Sequence, residues 1–289
     1  MKVDGKTSVC GLIGNPVEHT LSPMIHNTLA ERMGHNLVYV PFPVEEGKVA
    51  QAVAGADALH IMGLNVTVPY KSEVIKSLKA IDTLAQDIGA VNTLVRTDGG
   101  YKGYNTDMEG LYRAMLSEGV SIEGKQIILL GAGGVARAVA YLCAIKGAGK
   151  VYLLNRTPSK AQTVAAEVNG RTGREVIIPM CITDYTKLPD GKYLAIQGTS
   201  VGLAPNVDDA VIEDSAFYEM LHTGFDLIYS PWETKFMRLT KEYGGQAYNG
   251  LKMLLYQGII AYELWNDVQV SEEDAQAVYE KLKKHFMQR

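Results

Sequence analysis

Ile127-Ile128-Leu129-Leu130-Gly131-Ala132-Gly133-Gly134-Val135-Ala136 is the stretch on which the fold turns. Residues 126–130 make an apolar run of strand length that stops at a glycine. Residues 135–146 hold no Gly or Pro and read as the body of a helix opening at Gly134, and residues 151–154 as a second buried strand. Gly-x-Gly-x-x-Ala at the first turn of such a strand–helix–strand unit is a dinucleotide-binding fingerprint. Gly131 permits the tight turn, Gly133 removes a side chain where a pyrophosphate would approach, and Ala136 lets the helix pack closely on the strand. The helix start, from Ala132 through Gly134 and Val135, then offers unpaired N–H groups and partial positive charge to phosphates. The competing reading is a tight turn with no ligand.

The end of the second strand selects the cofactor. An NAD site ends this strand with Asp or Glu, which accepts from the ribose 2′-hydroxyl. Here it ends Asn155-Arg156-Thr157, with Lys160 close behind and no carboxylate at the tip. A guanidinium suits a 2′-phosphate in charge and in geometry, so the expected cofactor is NADP. Alternatively Arg156 is a solvated surface charge and Thr157 only the cap before Pro158.

Outward from this unit the alternation continues in both directions. Towards the C-terminus a helix runs from Thr157-Pro158 to about residue 168, strands follow near 175–180, 193–197 and 224–229, and helices near 235–243, 251–265 and 271–286. The last has Ser271 as cap, acids in its first turn and Lys283-Lys284 in its last. Towards the N-terminus a strand at 9–13 ends in Gly14-Asn15-Pro16, and a helix at 23–33 has Ser22 as expected N-cap and Gly34 just past its end. Strands are expected at 37–42, 64–68 and 90–95. Asp98-Gly99-Gly100 marks a turn, and Thr106-Asp107-Met108-Glu109 is a capping box that opens a helix to about residue 118. Strand and helix alternating throughout point to α/β layering with parallel sheets and a domain border near residue 105.

The bulk properties agree. A chain of 289 residues with 47% hydrophobic and 21% charged residues is expected to form two globular domains. A net charge of -4 argues against nucleic acid or an anionic membrane as partner. No apolar run reaches the roughly 20 residues of a membrane span, and residues 1–8, with Lys2, Asp4 and Lys6, lack the apolar segment of a secretory signal. Cys10, Cys143 and Cys181, odd in number and widely spaced, suggest reduced thiols in a cytoplasmic protein. The histidines show no ligand spacing, so no metal is expected.

Several polar residues stand where local pattern leaves two readings open. Thr20 and Ser22 put hydroxyls beside a helix start, where Ser22 could simply cap. Thr67 lies in an expected strand, which β-propensity alone would explain. Lys71 follows Pro69-Tyr70 and could be a solvated charge. Asn92 interrupts an apolar run and could be a satisfied core amide. Asp107 could be a first-turn acid favoured by the helix dipole, and Gln257 a helix residue facing water.

In their order and contexts these residues resemble the shikimate dehydrogenase family. The matching segments are Gly14-Asn15-Pro16 with His19-Thr20-Leu21-Ser22-Pro23 and His26-Asn27; Asn65-Val66-Thr67-Val68-Pro69 with Lys71; Gly89-Ala90-Val91-Asn92-Thr93; Gly103-Tyr104-Asn105-Thr106-Asp107 with Gly110; Gly131 to Ala136; Asn155-Arg156-Thr157; Asp226-Leu227-Ile228-Tyr229 with Pro231; and Asn249-Gly250-Leu251 with Met253-Leu254 and Gln257. The resemblance implies reversible NADPH-dependent reduction of 3-dehydroshikimate to shikimate. It implies Lys71 and Asp107 as the catalytic pair, and Thr20, Ser22, Thr67, Asn92, Tyr229 and Gln257 as holding the substrate. It places Thr199 and Ser200, in Gln197-Gly198-Thr199-Ser200, and Leu227 and Gly250, beside the nicotinamide. Thr20 stands where the family most often has Ser, Lys252 where a glycine is common, and Gln197-Gly198 where Asn-Ala or Asn-Thr is usual.

The expected architecture is two α/β domains flanking a cleft. Residues 1–105, rejoined by helices at 246–289, would bind substrate, and residues 106–245 would form a Rossmann-like NADP-binding domain. Small molecules would be the only partners of a cytoplasmic monomer or homodimer. The competing readings are an enzyme that also uses quinate, a non-catalytic NADP-binding sensor, and a folate-linked dehydrogenase. A sensor would be expected to lose Lys71 or Asp107, and Thr20-Leu21-Ser22-Pro23 with Asn105-Thr106-Asp107 argues against the folate-linked class.

Overall fold

The computed structural model describes residues 3–287, so Lys2 and the outermost ends of the expected 1–105 and 246–289 ranges lie outside the described residues. The chain divides into two compact units, Met1–Leu111 with Leu254–Arg289, and Tyr112–Met253. The sequence reading put the borders at 105/106 and 245/246. Both divisions fall instead within helices.

The first unit contains β1 (Ser8–Gly14), α1 (Ser22–Met33), β2 (Leu37–Pro43), α2 (Val49–Ala58), β3 (Gly63–Val66), a 3₁₀ turn at Glu73–Ser77, β4 (Ala80–Ile81), α3 (Thr83–Ile88), β5 (Thr93–Thr97), β6 (Gly100–Tyr104) and the start of α4 (Asp107–Ser117). The sheet order is β2-β1-β3-β5-β6-β4. It is parallel apart from β5, which runs against both β3 and β6. The reversal comes from Asp98-Gly99, which joins β5 to β6 as a two-residue hairpin with Thr97 opposite Gly100. Gly99 has φ +76°, a left-handed conformation that glycine adopts without steric cost. The core under this sheet includes Leu64, Val66, Val74, Val91, Leu94 and Tyr101. α2 left little trace in the sequence, because neither of its ends carries a side-chain cap and Gly55 interrupts it.

The second unit is a parallel six-stranded sheet of β7 (Gln126–Leu130), β8 (Lys150–Asn155), β9 (Ile177–Cys181), β10 (Tyr193–Gln197), β11 (Leu221–Asp226) and β12 (Gln246–Tyr248). Between them lie α5 (Gly134–Ile145), α6 (Pro158–Thr172), a 3₁₀ turn at Ile182–Lys187, α7 (Ser215–Glu219) and α8 (Lys235–Glu242). β7 is central, with β8 and β9 on one side and β10, β11 and β12 on the other. This is the strand order of a doubly wound dinucleotide-binding sheet, whose ligands lie at the carboxyl ends where the winding reverses.

The chain closes with α9 (Leu251–Asn266) and α10 (Glu272–Met287). From Leu254 onward these belong to the first unit and are fastened to it by specific contacts. Trp265 Nε1 donates to the Leu94 carbonyl at 2.9 Å, and its indole covers Gly63, where an added Cβ would overlap the ring. The Tyr262 hydroxyl meets His35 Nδ1 at 2.6 Å, Arg32 pairs with Asp274 at 2.6 Å, and Lys281 Nζ donates to Thr28 Oγ1 at 2.8 Å. Ser271 caps α10 by accepting from the Asp274 N–H at 3.1 Å. Among the described residues no helix is long and apolar enough to cross a membrane.

Gly63 is therefore fixed by packing. Gly63→Ala should lower the unfolding free energy by about 1–3 kcal/mol, as overpacking of a tight core does. Urea unfolding followed by tryptophan fluorescence measures this, and a midpoint equal to that of the parent protein would contradict it.

Candidate active site

Several of the candidate substrate residues gather in the first unit. β1 ends at Gly14, where any Cβ would overlap Thr67 Cγ2, so the glycine lets Thr67 lie against the end of the strand. Thr67 sits just beyond β3 rather than within it, with its N–H on the Ile13 carbonyl at 3.0 Å. Strand propensity is thus not its explanation. Ser22 is the first residue of α1 and not its cap; Leu21 holds the N-cap position and no side chain caps the helix. Instead the Ser22 N–H donates to Thr20 Oγ1 at 3.2 Å, and the Thr20 hydroxyl donates to Ser22 Oγ at 3.1 Å. The two hydroxyls form a pair beside a helix N-terminus, an arrangement suited to a carboxylate.

Lys71 and Asp107 meet. Nζ donates to Asp107 Oδ2 at 2.7 Å, with the side chains 32% and 19% exposed. The lysine is therefore not simply solvated. Asp107 opens α4, where a carboxylate also gains from the helix dipole. Its N–H is held by Asn105 Oδ1 at 3.2 Å, and its second oxygen accepts from Asn92 Nδ2 at 2.9 Å. Asn92 precedes β5 and is buried, so the core-amide reading is correct as far as it goes. One of its partners, however, is the carboxylate that holds Lys71. Both Asn92 N–H groups are used within the protein, the other on Thr106 Oγ1 at 3.0 Å. A substrate hydroxyl reaching Asn92 has to share one of these donors.

Gln257 lies on α9 directly over α4. A Cβ on Gly110 would come 2.6 Å from the Gln257 backbone nitrogen, so only glycine allows this approach. Gly110 is three residues after Asp107 and shares its helix face. Gln257 Nε2 donates to the Leu254 carbonyl at 2.8 Å, which orients the amide.

The candidate cofactor residues lie in the second unit, beyond the carboxyl ends of its strands. Gly131 has φ +105°, and a Cβ there would lie 2.7 Å from Thr199 Cγ2. Ala136 is fully buried against Gly198. Gly133 and Gly134 differ: an added Cβ meets no protein atom within 4 Å at either. Packing within the protein does not require glycine there, whereas close approach of a phosphate does. Gly133 occupies the N-cap of α5, and no side chain caps it, which leaves the first-turn N–H groups for a ligand. At the tip of β8, Asn155 Nδ2 donates to the Thr157 carbonyl at 2.8 Å. Thr157 stands at the N-cap of α6, but its side chain makes no capping bond, and Arg156 and Lys160 are exposed. These residues fit a phosphorylated dinucleotide in charge, donors and space.

Leu227 and Tyr229 lie beyond β11, not in it. Leu227 N–H donates to the Gln197 carbonyl at 3.1 Å, and Gly250 packs on the Leu227 backbone too closely for any Cβ. Burial pushes the Tyr229 phenol up. The departure at Gln197-Gly198 has a structural account. Buried Gln197 takes the Thr199 N–H on Oε1 and donates from Nε2 to the Val201 carbonyl at 3.1 Å and Asp226 Oδ1 at 3.4 Å. It thereby shapes the segment holding Thr199 and Ser200. Lys252 is also accounted for, paired with Glu118 at 2.6 Å.

The sequence assigns no site role to Asn65, Thr93 or Asp226, reads Thr106 only as the start of a capping box, and marks Gln197 only as a departure within the segment near the nicotinamide. Their common signal is a polar side chain inside an apolar stretch, which burial makes costly unless it is bonded. Asp226 is fully buried, and burial pushes its carboxyl up to about 6 against hydrogen bonds from Thr234, Ile228 and Gln197 that favour the ionised form. The folded state thus holds this proton more tightly than the unfolded chain. The stability Asp226 contributes is greatest below 3.8 and is lost as pH rises towards about 6. The stability difference between the parent protein and Asp226→Asn should shift against the parent across that window, by up to about 3 kcal/mol. Urea unfolding at several pH values measures it, and a difference constant with pH would contradict the assignment.

Comparison with known proteins identifies the family. The family model described as "Shikimate dehydrogenase substrate binding domain" matches residues 12–94, and that described as "Shikimate / quinate 5-dehydrogenase" matches residues 114–179. The shikimate dehydrogenase (NADP(+)) of Desulforamulus reducens is 41% identical over 266 residues, covering 91% of each protein. A crystal structure of a shikimate dehydrogenase in complex with NADP+ has a TM-score of 0.87 at 37% identity over 97% of both chains. That of shikimate 5-dehydrogenase from Listeria monocytogenes, in complex with shikimate and NAD, has a TM-score of 0.89 at 30% identity over 98% of both. The paired hydroxyls, the Lys71–Asp107 contact and the doubly wound second unit stand in a chain similar to these enzymes along nearly its full length, and the chain belongs to the shikimate dehydrogenase family.

Proposed function

We propose that this chain is an NADP-dependent shikimate dehydrogenase, reversibly reducing the 3-keto group of 3-dehydroshikimate to shikimate in the biosynthesis of aromatic amino acids. The observation that carries the reading is the contact of Lys71 Nζ with Asp107 Oδ2 at 2.7 Å. Reduction of a ketone places negative charge on its oxygen, which needs a proton donor within hydrogen-bond reach. The Lys71 ammonium stabilises that charge and gives up a proton; in the reverse direction it takes the proton from the 3-hydroxyl. Asp107 holds the ammonium on Oδ2 while Asn92 fixes Oδ1.

The Thr20–Ser22 hydroxyl pair and Thr67 receive the substrate carboxylate, and Asn92, Gln257 and Tyr229 its ring hydroxyls. This assignment is supported by donor chemistry and by the motifs around these residues that resemble the family's, with Thr20 the one departure from its usual serine. NADP, when bound, supplies the hydride chemistry. Gly131, Ala132, Gly133, Gly134, Val135 and Ala136 would hold its pyrophosphate, and Asn155, Arg156, Thr157 and Lys160 its 2′-phosphate. Thr199, Ser200, Leu227 and Gly250 would line the nicotinamide. The thiols of Cys10 and Cys143 are free, buried and pushed up to about 12 by that burial, which suits a reducing compartment. We assign the enzyme to the cytoplasm, as a monomer or homodimer.

Lys71→Ala should lower kcat by about 10²–10⁴-fold, the usual worth of a positioned acid or base, with a much smaller change in shikimate affinity. Steady-state rates and equilibrium titration separate the two effects. A kcat within a few-fold of the parent enzyme would remove Lys71 from the mechanism.

A further inference from the structure

Beneath the Lys71–Asp107 pair lies a closed circuit of hydrogen bonds that neither the sequence nor the family match assigns. The Thr106 backbone N–H donates to Asn92 Oδ1 at 2.7 Å, so that atom is the carbonyl oxygen of the amide. Asn92 Nδ2 is then the donor to Asp107 Oδ1 and to Thr106 Oγ1. The Thr106 hydroxyl, accepting from Asn92, has its own proton for Thr93 Oγ1 at 3.2 Å. The Thr93 hydroxyl donates in turn to Asn92 Oδ1 at 3.1 Å and closes the ring. From outside the ring, Asn65 Nδ2 donates to Thr93 Oγ1 at 3.1 Å, and the Tyr39 hydroxyl fixes Asn65 by donating to its Oδ1 at 2.8 Å. Tyr39, Asn65, Asn92, Thr93 and Thr106 are all buried, so none of these donors is exchanged for bulk water.

We propose that Thr93 is a positioning residue: with Thr106 it locks the Asn92 amide so that one N–H points at Asp107 Oδ1 and the other carboxylate oxygen faces Lys71. The proposal rests on the reading of Lys71 and Asp107 as the catalytic pair. Thr93 touches neither of them. It acts through Asn92, whose carbonyl oxygen takes the Thr93 hydroxyl beside the Thr106 N–H while its amide protons go to Thr106 and Asp107. Removing the Thr93 hydroxyl leaves an Asn65 donor with one partner fewer and takes one of the donors from Asn92 Oδ1, so that the Thr106 hydroxyl must turn to that oxygen, 3.3 Å away, and the amide that orients Asp107 is held less tightly. A carboxylate displaced by a fraction of an ångström misplaces the lysine it holds, and turnover is sensitive to such displacements. Strand propensity alone, the ordinary reason for a threonine at the start of β5, predicts no such link.

The test is steady-state kinetics of shikimate oxidation with NADP for the parent enzyme, Thr93→Val, Thr93→Ser, Asp107→Asn and the double variant Thr93→Val/Asp107→Asn. Valine keeps the shape and removes the hydroxyl. Thr93→Val should lower kcat by about ten- to a hundredfold while the KM for shikimate moves less than about threefold. Thr93→Ser should restore the lost kcat. In the Asp107→Asn background Thr93→Val should add less than about a twofold loss, because both changes act on the same group. If Thr93→Val does not fold, Thr93→Cys, whose thiol donates weakly, carries the same expectation. An unchanged kcat in Thr93→Val, a loss just as large without Asp107, or no rescue by serine would overturn the proposal while leaving the catalytic pair intact. Asp107→Asn turning over at the parent rate would instead overturn the reading of the pair, and the positioning role with it.

Discussion

Asp107 has one oxygen on Lys71 and the other on Asn92, and much of the first unit can be understood as the cost of keeping it so. Asn65, Thr93, Asn92 and Thr106 occupy interior positions of the sheet and its adjoining turns that apolar side chains would fill with less risk. A buried polar group left without its partner costs about 1–3 kcal/mol. The cluster is tolerated because its bonds are made, and the made bonds leave the Asn92 amide only one orientation. Glycines at two positions complete the arrangement. Gly14 admits Thr67 to the end of β1, and Gly110 admits α9 to the face of α4 that begins with Asp107. The hydroxyl pair, the ion pair and Gln257 are thus delivered by backbone approaches that a single methyl group would block.

The second unit separates two uses of glycine that a sequence motif merges. Gly131 and Gly250 are required by the protein itself, through a positive φ at the first and a close backbone at the second. Gly133 and Gly134 are not, since a Cβ there would meet only open space. The motif therefore holds one residue that shapes the turn and two whose small size leaves open space beside the helix start, as a phosphate would need. The tip of β8 makes a similar distinction. Thr157 holds the N-cap position of α6 without spending its hydroxyl on capping, and the charges of Arg156 and Lys160 stand beside it.

The doubly wound second unit was legible because its signals are local: apolar runs of strand length, a glycine turn and helix starts at fixed offsets. Most of its strands and its long helices lie within a few residues of where periodicity places them. The first unit was harder. Asp98-Gly99 is a hairpin signal, but Tyr101-Lys102-Gly103-Tyr104 does not alternate in a way that reveals β6, so the turn looked like a border. α2 and α3 are short, and the strands of this sheet end earlier or begin later than the apolar runs suggest, which moves Thr67 and Asn92 out of strands and into the adjoining turns. Ser22 shows the same limit from the other side, since Ser-Pro before an apolar helix is also what a plain cap looks like. Lys71, Asn92 and Asp107 are brought together by pairing of β3 with β5 and by the turn into α4, contacts that one sequence does not encode at any fixed spacing. Family resemblance supplied their roles. The ring formed by Thr93 and Thr106 had no signal of its own: Thr106 reads as the start of a capping box, Thr93 as a strand residue, and nothing in their spacing says that their hydroxyls meet.

The account stands on one reaction at one carboxylate-held lysine, with a phosphorylated nicotinamide cofactor. The most direct measurement is a grid of initial rates for the oxidation of shikimate and of quinate, each with NADP and with NAD. The account predicts the fastest rate with shikimate and NADP. Absence of shikimate-dependent NADP reduction, or activity confined to quinate with NAD, would contradict it.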